Sequence, residues 1–393
     1  MSTREAVKEA ILGISNRNLL IELPTGHGKT AVALELLKSR CKKGDKVLVV
    51  VPRIVLKANF MQEVRKWWPN NQIKFTLVTY RSLHKCKGKW AAVVYDEAHH
   101  ITSKCAEYIK DICAESSILL SATVGNKCKD LLNNTFTNLG FYKRTIRQAM
   151  DEGVLPDPKV FLIPIELDNT KPTELLVYNP KLINKVTTTW KDRWNYIRRK
   201  DIKVEVICTK RQYLCDLDSK IEWLKGKCNK NPNPALRNMY LHKCGDRLKI
   251  LSNWKTDYIR DILRKFKNYR TLTFCNSIMH TEALGRFCIN SKNKLSDQLL
   301  QDFNAGKINH ITSCNMLNEG INLLNCRIGI YAVLNSSTIL IKQKLGRLLR
   351  HPKPVLIIPY YVRTREEEIV NEMIKDYNPD LIKVINNINE ISL

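Results

Sequence analysis

An apolar run at 19–23 ends in Pro24-Thr25-Gly26-His27-Gly28-Lys29-Thr30 and gives way at once to a helix-forming stretch at 31–37. No other segment constrains the fold so tightly. A strand, a tight glycine turn and a helix in that order form one unit of a parallel α/β sheet, and the turn carries a defined chemistry. Gly26 and Gly28 let the backbone curl until its N–H groups face a single anion, and the N-terminus of the following helix adds partial positive charge. Pro24, Thr25 and His27 complete the loop. Lys29 is placed to neutralise the outer phosphates of ATP, and Thr30 to offer its hydroxyl to Mg²⁺. A glycine turn with an incidental lysine is the plain alternative, and the flanking strand and helix argue against it.

The same alternation continues downstream. Apolar runs at 47–51, 75–78, 91–95 and 118–120 are separated by helical stretches, and a second series at 271–274, 310–313, 328–333 and 355–358 repeats the theme. Near-continuous apolar strands between helices predict parallel sheets buried on both faces. A chain of 393 residues exceeds one ordinary core and suits two such lobes. Asp96 and Glu97 close the run at 91–95, so both carboxylates fall at the carboxyl end of a strand, where α/β sheets bind ligands. Asp96 suits the water shell of Mg²⁺, and Glu97 can orient and deprotonate an attacking water. A solvated turn is the bland reading of such a pair, and the glycine loop upstream disfavours it.

Charge narrows the partner. Lys and Arg number 65 against 38 Asp and Glu, a net +27, which calls for a polyanion. Neither an amphipathic basic helix nor an apolar run of roughly 18 residues suggests a membrane. The thirteen cysteines include no Cys-x-x-Cys pair, so they read as small buried hydrophobes in a reducing, cytoplasmic compartment. No metal other than Mg²⁺ is expected, and no second catalytic centre is visible.

Further motifs carry a family resemblance. Val51-Pro52-Arg53, Thr79-Tyr80 and Ser121-Ala122-Thr123 follow the phosphate loop in order; Phe274-Cys275-Asn276-Ser277, then 312–322 with Asn318-Glu319-Gly320-Ile321-Asn322, then Gln343-x-x-Gly346-Arg347-x-x-Arg350 complete the series. The chain resembles the superfamily 2 helicases, nearest to the type III restriction subunits and the phage branch-migration helicases. That resemblance implies two RecA-like P-loop domains with ATP between them. It also implies strand contacts by Pro52, Arg53, Thr79, Asn276 and Thr312, coupling of hydrolysis to strand binding by Ser121, Ala122 and Thr123, and Gly320 beside the nucleotide. Gln343, Arg347 and Arg350 stand at i, i+4 and i+7, one helix face, from which two cations can reach the transferring phosphoryl group. Three departures accompany it: Arg4-Glu5-Ala6 stands where an adenine-reading glutamine is expected, Asn322 where relatives carry Asp, and Gln343 where they carry His.

The expected organisation is a first lobe at 1–165, a basic, mostly helical insert or linker at 166–247, and a second lobe at 248–393. Between 171 and 247 lie eighteen Lys and Arg against eight acids. Trp190, Trp194 and Ile197 share a helical stripe that either packs on a lobe or, with Arg198, Arg199 and Lys200, grips nucleic acid. The function expected is an ATP-driven motor, monomeric in action, that unwinds or branch-migrates DNA. An RNA helicase, an annealing translocase and a non-catalytic clamp are the rivals, the last disfavoured by the joint presence of Lys29, Glu97 and Arg350.

Overall fold

The computed structural model describes residues 3–171, 173–177, 204–314, 323, 325–335 and 351–393. Gly320, Asn322, Gln343, Arg347 and Arg350, together with the tryptophan stripe and Arg198 to Lys200, lie outside the described residues.

The first lobe contributes β1 (Asn18–Glu22), β2 (Lys46–Val51), β3 (Lys74–Thr79), β4 (Gly88–Trp90), β5 (Ala92–Tyr95), β6 (Ile112–Ala114), β7 (Ser117–Ser121) and β8 (Leu139–Lys143). Six of these form a parallel sheet in the order β3-β2-β5-β7-β1-β8, and β4 and β6 pair separately. Side chains alternate between the sheet's two faces. Leu19, Ile21, Val47, Val49, Val94 and Ile118 enter one core, with Leu34 and Leu37 of helix Lys29–Arg40 and Phe60 and Val64 of helix Val55–Trp67. Leu20, Leu48, Val50, Val93 and Leu119 enter the other, against Ile109 and Leu132. Both faces are therefore dry, which is why the strands read as unbroken apolar runs.

The second sheet is built from β9 (Lys159–Ile165), β12 (Thr271–Cys275), β13 (Cys288–Ile289), β14 (His310–Cys314), β15 (Ile328–Tyr331), β16 (Val355–Tyr361) and β17 (Ile382–Val384). It is parallel throughout, in the order β13-β14-β12-β15-β16-β9-β17. This corrects the expected boundary at 165. The segment 159–165 pairs along its whole length with β16, Val355 opposite Lys159 and Tyr361 opposite Ile165, so it belongs to the second sheet. Ile146, Ala149, Met150 and Leu155 pack in the same core as Leu272, Phe274 and Leu356.

The insert thus leaves from β9 and returns to β12, two strands of one sheet. It opens with an antiparallel pair, β10 (Thr173–Val177) and β11 (Val204–Cys208), and continues as two long helices, Lys210–Lys230 and Pro234–Trp254. The second helix runs past the expected limit at 247. Asn233 caps it, accepting from Ala235 N at 2.8 Å, and Pro234 occupies its first turn. Leu214, Leu251 and Tyr361 join the base of this hairpin to the second lobe. Among the described residues no helix is long and apolar enough to cross a membrane.

Two second-lobe histidines give the fold a measurable acid limit. Burial pushes the imidazoles of His280 and His310 down to about 4, in the first case with help from nearby Lys255. In the unfolded chain they titrate near 6.5, so between pH 6.5 and 4 the unfolded state binds the extra protons and stability falls as pH falls. Urea midpoints of the second lobe's transition should be level above neutrality and drop below pH 6.5; replacing His280 with Phe should shrink the drop. An unchanged slope in that variant would remove His280 from the account.

Candidate active site

Strand β1 delivers the chain into the glycine loop. Leu23 N donates to Ser121 O of the adjacent strand at 3.0 Å, and His27 N closes a turn on Pro24 O at 3.1 Å. Gly26 and Gly28 hold φ of 91° and 93°, values at which any Cβ is strained, so both positions require glycine. Helix Lys29–Arg40 starts directly from Gly28 with no side-chain cap, which leaves its first N–H groups to be satisfied by a bound anion. His27 departs from expectation. Its ring is 3% exposed, both ring nitrogens lack a hydrogen-bond partner, and burial, with Arg144 and Arg4 adding like charge, pushes it down to about 4. His27 can meet a nucleotide only through its backbone.

Strand β5 brings the carboxylates opposite this loop. Lys29 Nζ lies 3.3 Å from Glu97 Oε1, with both side chains largely buried. Glu97 has a left-handed φ of 51°, unusual for a residue that carries a Cβ and a mark of a position held by its surroundings. Its N–H donates to Asp96 Oδ1 at 3.1 Å, and the Tyr80 hydroxyl holds the Asp96 carbonyl at 2.9 Å. Thr30, Asp96 and Glu97 offer only oxygen donors, a set suited to a hard divalent cation that keeps water and phosphate oxygens in its shell. Glu97 Oε2 is buried and makes no hydrogen bond, which leaves it able to accept from such a water.

His99 links this carboxylate to the next motif. Its Nδ1 lies 3.0 Å from Ser121 Oγ and 3.5 Å from Glu97 Oε2. Ser121 Oγ also lies 3.0 Å from Thr123 O, so the hydroxyl bridges the imidazole and the coupling loop's backbone. Thr123 N returns a bond to Ser121 Oγ at 3.3 Å. Glu22 also escaped sequence reasoning. This buried carboxylate at the end of β1 accepts from Val124 N and faces Lys129 at 3.6 Å, tying the glycine loop's strand to the Ser121–Thr123 loop. An isolated glutamate at a strand end gives no signal for such a role; adjacency to Asp96 and Glu97 was the available signal for His99.

The glycine loop, Pro52 and Arg53, Thr79, Asp96 and Ser121 all leave the carboxyl ends of their strands and therefore share one edge of the first sheet. Pro52 and Arg53 are half-buried, followed by exposed Ile54 and Val55. Thr79 is nearly covered, its hydroxyl 3.2 Å from Ser82 Oγ. Asn276, half-buried, leaves the carboxyl end of β12. Thr312 does not meet the expectation of a strand contact. It is fully buried within β14, and its hydroxyl donates to Thr281 O at 3.3 Å.

Two family models match the chain in sequence order: the type III restriction enzyme res subunit over residues 2–126 and the helicase conserved C-terminal domain over 254–352. The chain is a superfamily 2 helicase. A DNA 3'-5' translocase XPB2 of Sulfurisphaera tokodaii is 24% identical over 397 aligned positions, covering 95% of this chain and 81% of that protein. Among solved structures, the Pyrococcus furiosus Hef helicase domain superposes with a TM-score of 0.51 at 15% identity, covering 94% of this chain and 97% of the other. S. cerevisiae Dbp5 bound to RNA and ADP BeF3 superposes with a TM-score of 0.58 at 12% identity, covering 98% and 89%. These likenesses identify the two lobes as RecA-like. As a superfamily 2 helicase related to the type III restriction subunits, the chain is a nucleic-acid-dependent ATPase.

Proposed function

We propose that this helicase is a DNA motor that uses Mg²⁺-bound ATP to move along one strand and thereby unwinds or branch-migrates duplexes. The observation that carries the reading is the facing pair Lys29 and Glu97, joined through His99 to Ser121, because it links phosphate binding, water activation and a coupling loop in one continuous set of contacts. Lys29 and the helix N-terminus neutralise the outer phosphates, and Thr30 and Asp96 would hold the metal ion, which would offset negative charge on the phosphoryl oxygens. Glu97 takes the proton of the attacking water. Arg347 and Arg350 act as the fingers of the second lobe. DNA is favoured over RNA by the type III restriction family and by the named activity of the S. tokodaii relative.

The test is a strand-separation assay on forked and flush duplexes of DNA and of RNA, alongside hydrolysis stimulated by each. Faster hydrolysis with DNA and separation of DNA forks support the reading; stimulation by RNA alone would make it an RNA helicase, and stimulation without separation a translocase. Arg347→Ala and Arg350→Ala should each lower stimulated turnover by roughly 1,000-fold while nucleotide affinity stays within a few-fold, because fingers act on charge that develops during transfer. Equal loss of affinity and rate would assign that helix a structural role.

A further inference from the structure

The second lobe carries a cationic groove unconnected with any helicase motif. A cavity of about 1380 Å³ lies at the β13 edge of the sheet, where Thr271 and His310 open β12 and β14 at their amino ends. Asn276 leaves β12 at its other end, so the groove and the strand-contacting motif stand at opposite ends of that strand. Arg260, Arg264, Lys267, Arg286, Lys292 and Lys307 line it, and Glu282 is the one carboxylate among the lining residues.

These cations divide by what they already hold. Arg260 donates to Ala283 O at 3.0 and 2.6 Å and pairs with Asp257; Arg264 pairs with Asp261 and Lys307 with Asp302. They build the wall. Lys267, Arg286 and Lys292 are exposed and make no ion pair among the described residues, so their charge faces solvent uncompensated. His310 adds none, because burial keeps it neutral. The groove is too large for a lone small anion and too basic for an apolar ligand. Single-strand sites pair cations with exposed rings for stacking. Here Phe266 is 4% exposed and Phe287 is half-buried beneath the Arg286 guanidinium at 4.8 Å, so no open ring awaits a base. Charge without stacking suits a backbone whose bases are already turned inward.

We propose that this groove binds the phosphate backbone of a duplex segment of nucleic acid, separately from the single strand followed by the motor motifs. The inference rests on the reading above that the protein works on nucleic acid. Binding of the full chain to a blunt DNA duplex and to an oligo-dT strand, measured by fluorescence anisotropy over a salt series, tests it. The triple variant Lys267→Ala, Arg286→Ala, Lys292→Ala should lose about 10-fold or more in duplex affinity, and its slope of log K against log salt should flatten by roughly 2–3. Oligo-dT affinity and oligo-dT-stimulated hydrolysis should stay within twofold. Glu282→Lys, which removes the opposing carboxylate and adds a cation, should tighten duplex binding. Parent-like duplex affinity and slope in both variants would overturn the proposal, as would equal losses on duplex and single strand, which would merge the groove with the motor's own track. If the parent itself shows no stimulation by any nucleic acid, the functional reading fails instead, whatever the groove binds.

Discussion

Glu97→Gln will bind ATP and fail to cleave it, with stimulated turnover lower by about 100- to 10,000-fold, the range for removing a positioned general base. The amide keeps the size of the carboxylate and can still lie beside Lys29, but it cannot take a proton from water. Nucleotide affinity should hold or rise, since Lys29 no longer has an anionic neighbour at 3.3 Å competing with phosphate. Lys29→Ala fails differently. It removes the cation that meets phosphate and leaves Glu97 with like charge facing the incoming nucleotide, so affinity itself should fall by roughly 10- to 100-fold. Fluorescent-nucleotide titration and phosphate release separate the two. Parent-like hydrolysis by Glu97→Gln would take Glu97 out of the chemistry.

The second large effect concerns stability. Lys255 and Glu366 form an ion pair of 2.7 Å with side chains 0% and 2% exposed. The ammonium also donates to Pro359 O at 3.2 Å, and the other carboxylate oxygen accepts from Tyr361 N at 3.0 Å, so the pair fastens the helix Thr256–Lys265 to the end of β16 and to the helix Arg365–Met373. Glu366→Ala strands a buried ammonium and should cost about 3–5 kcal/mol. Replacing both partners, Lys255→Met with Glu366→Leu, should recover most of that loss, because desolvation of both charges offsets much of their attraction. Urea unfolding followed by signals confined to the second lobe gives both values. A double variant as unstable as Glu366→Ala would mean that the charges, and not their isolation, set the stability.

Strands buried on both faces are legible as apolar runs, and the glycine loop is legible from the strand and helix that flank it. The edges were silent. β8 and β17 are partly exposed and lack a continuous apolar run, so they carry no strand signal. The allegiance of β9 was illegible for another reason: Val160 to Ile163 would suit the interior of either sheet, and only pairing decides. Thr312 shows the same limit at one position, because motif order locates a residue in a strand while the strand's alternation decides which way its hydroxyl turns. His99 with Ser121 and Lys255 with Glu366 are partners 22 and 111 residues apart, and no local pattern joins them.

Because β9 lies in the second sheet and Ile146 already packs in that sheet's core, the covalent bridge between the lobes is the short stretch between Lys143 and Ile146, and the insert is not part of it. The helical hairpin is rooted through Leu214, Leu251 and Tyr361 in the lobe that also carries the arginine fingers' motif. Each of its helices is 21 residues, about 30 Å of rigid rod. Any rotation of the second lobe about the bridge would then carry the hairpin with it as a lever, displacing its tip near Asn231. Closure of the second lobe would thus be read out at the hairpin's far end as a displacement, through rigid helices rooted in that lobe.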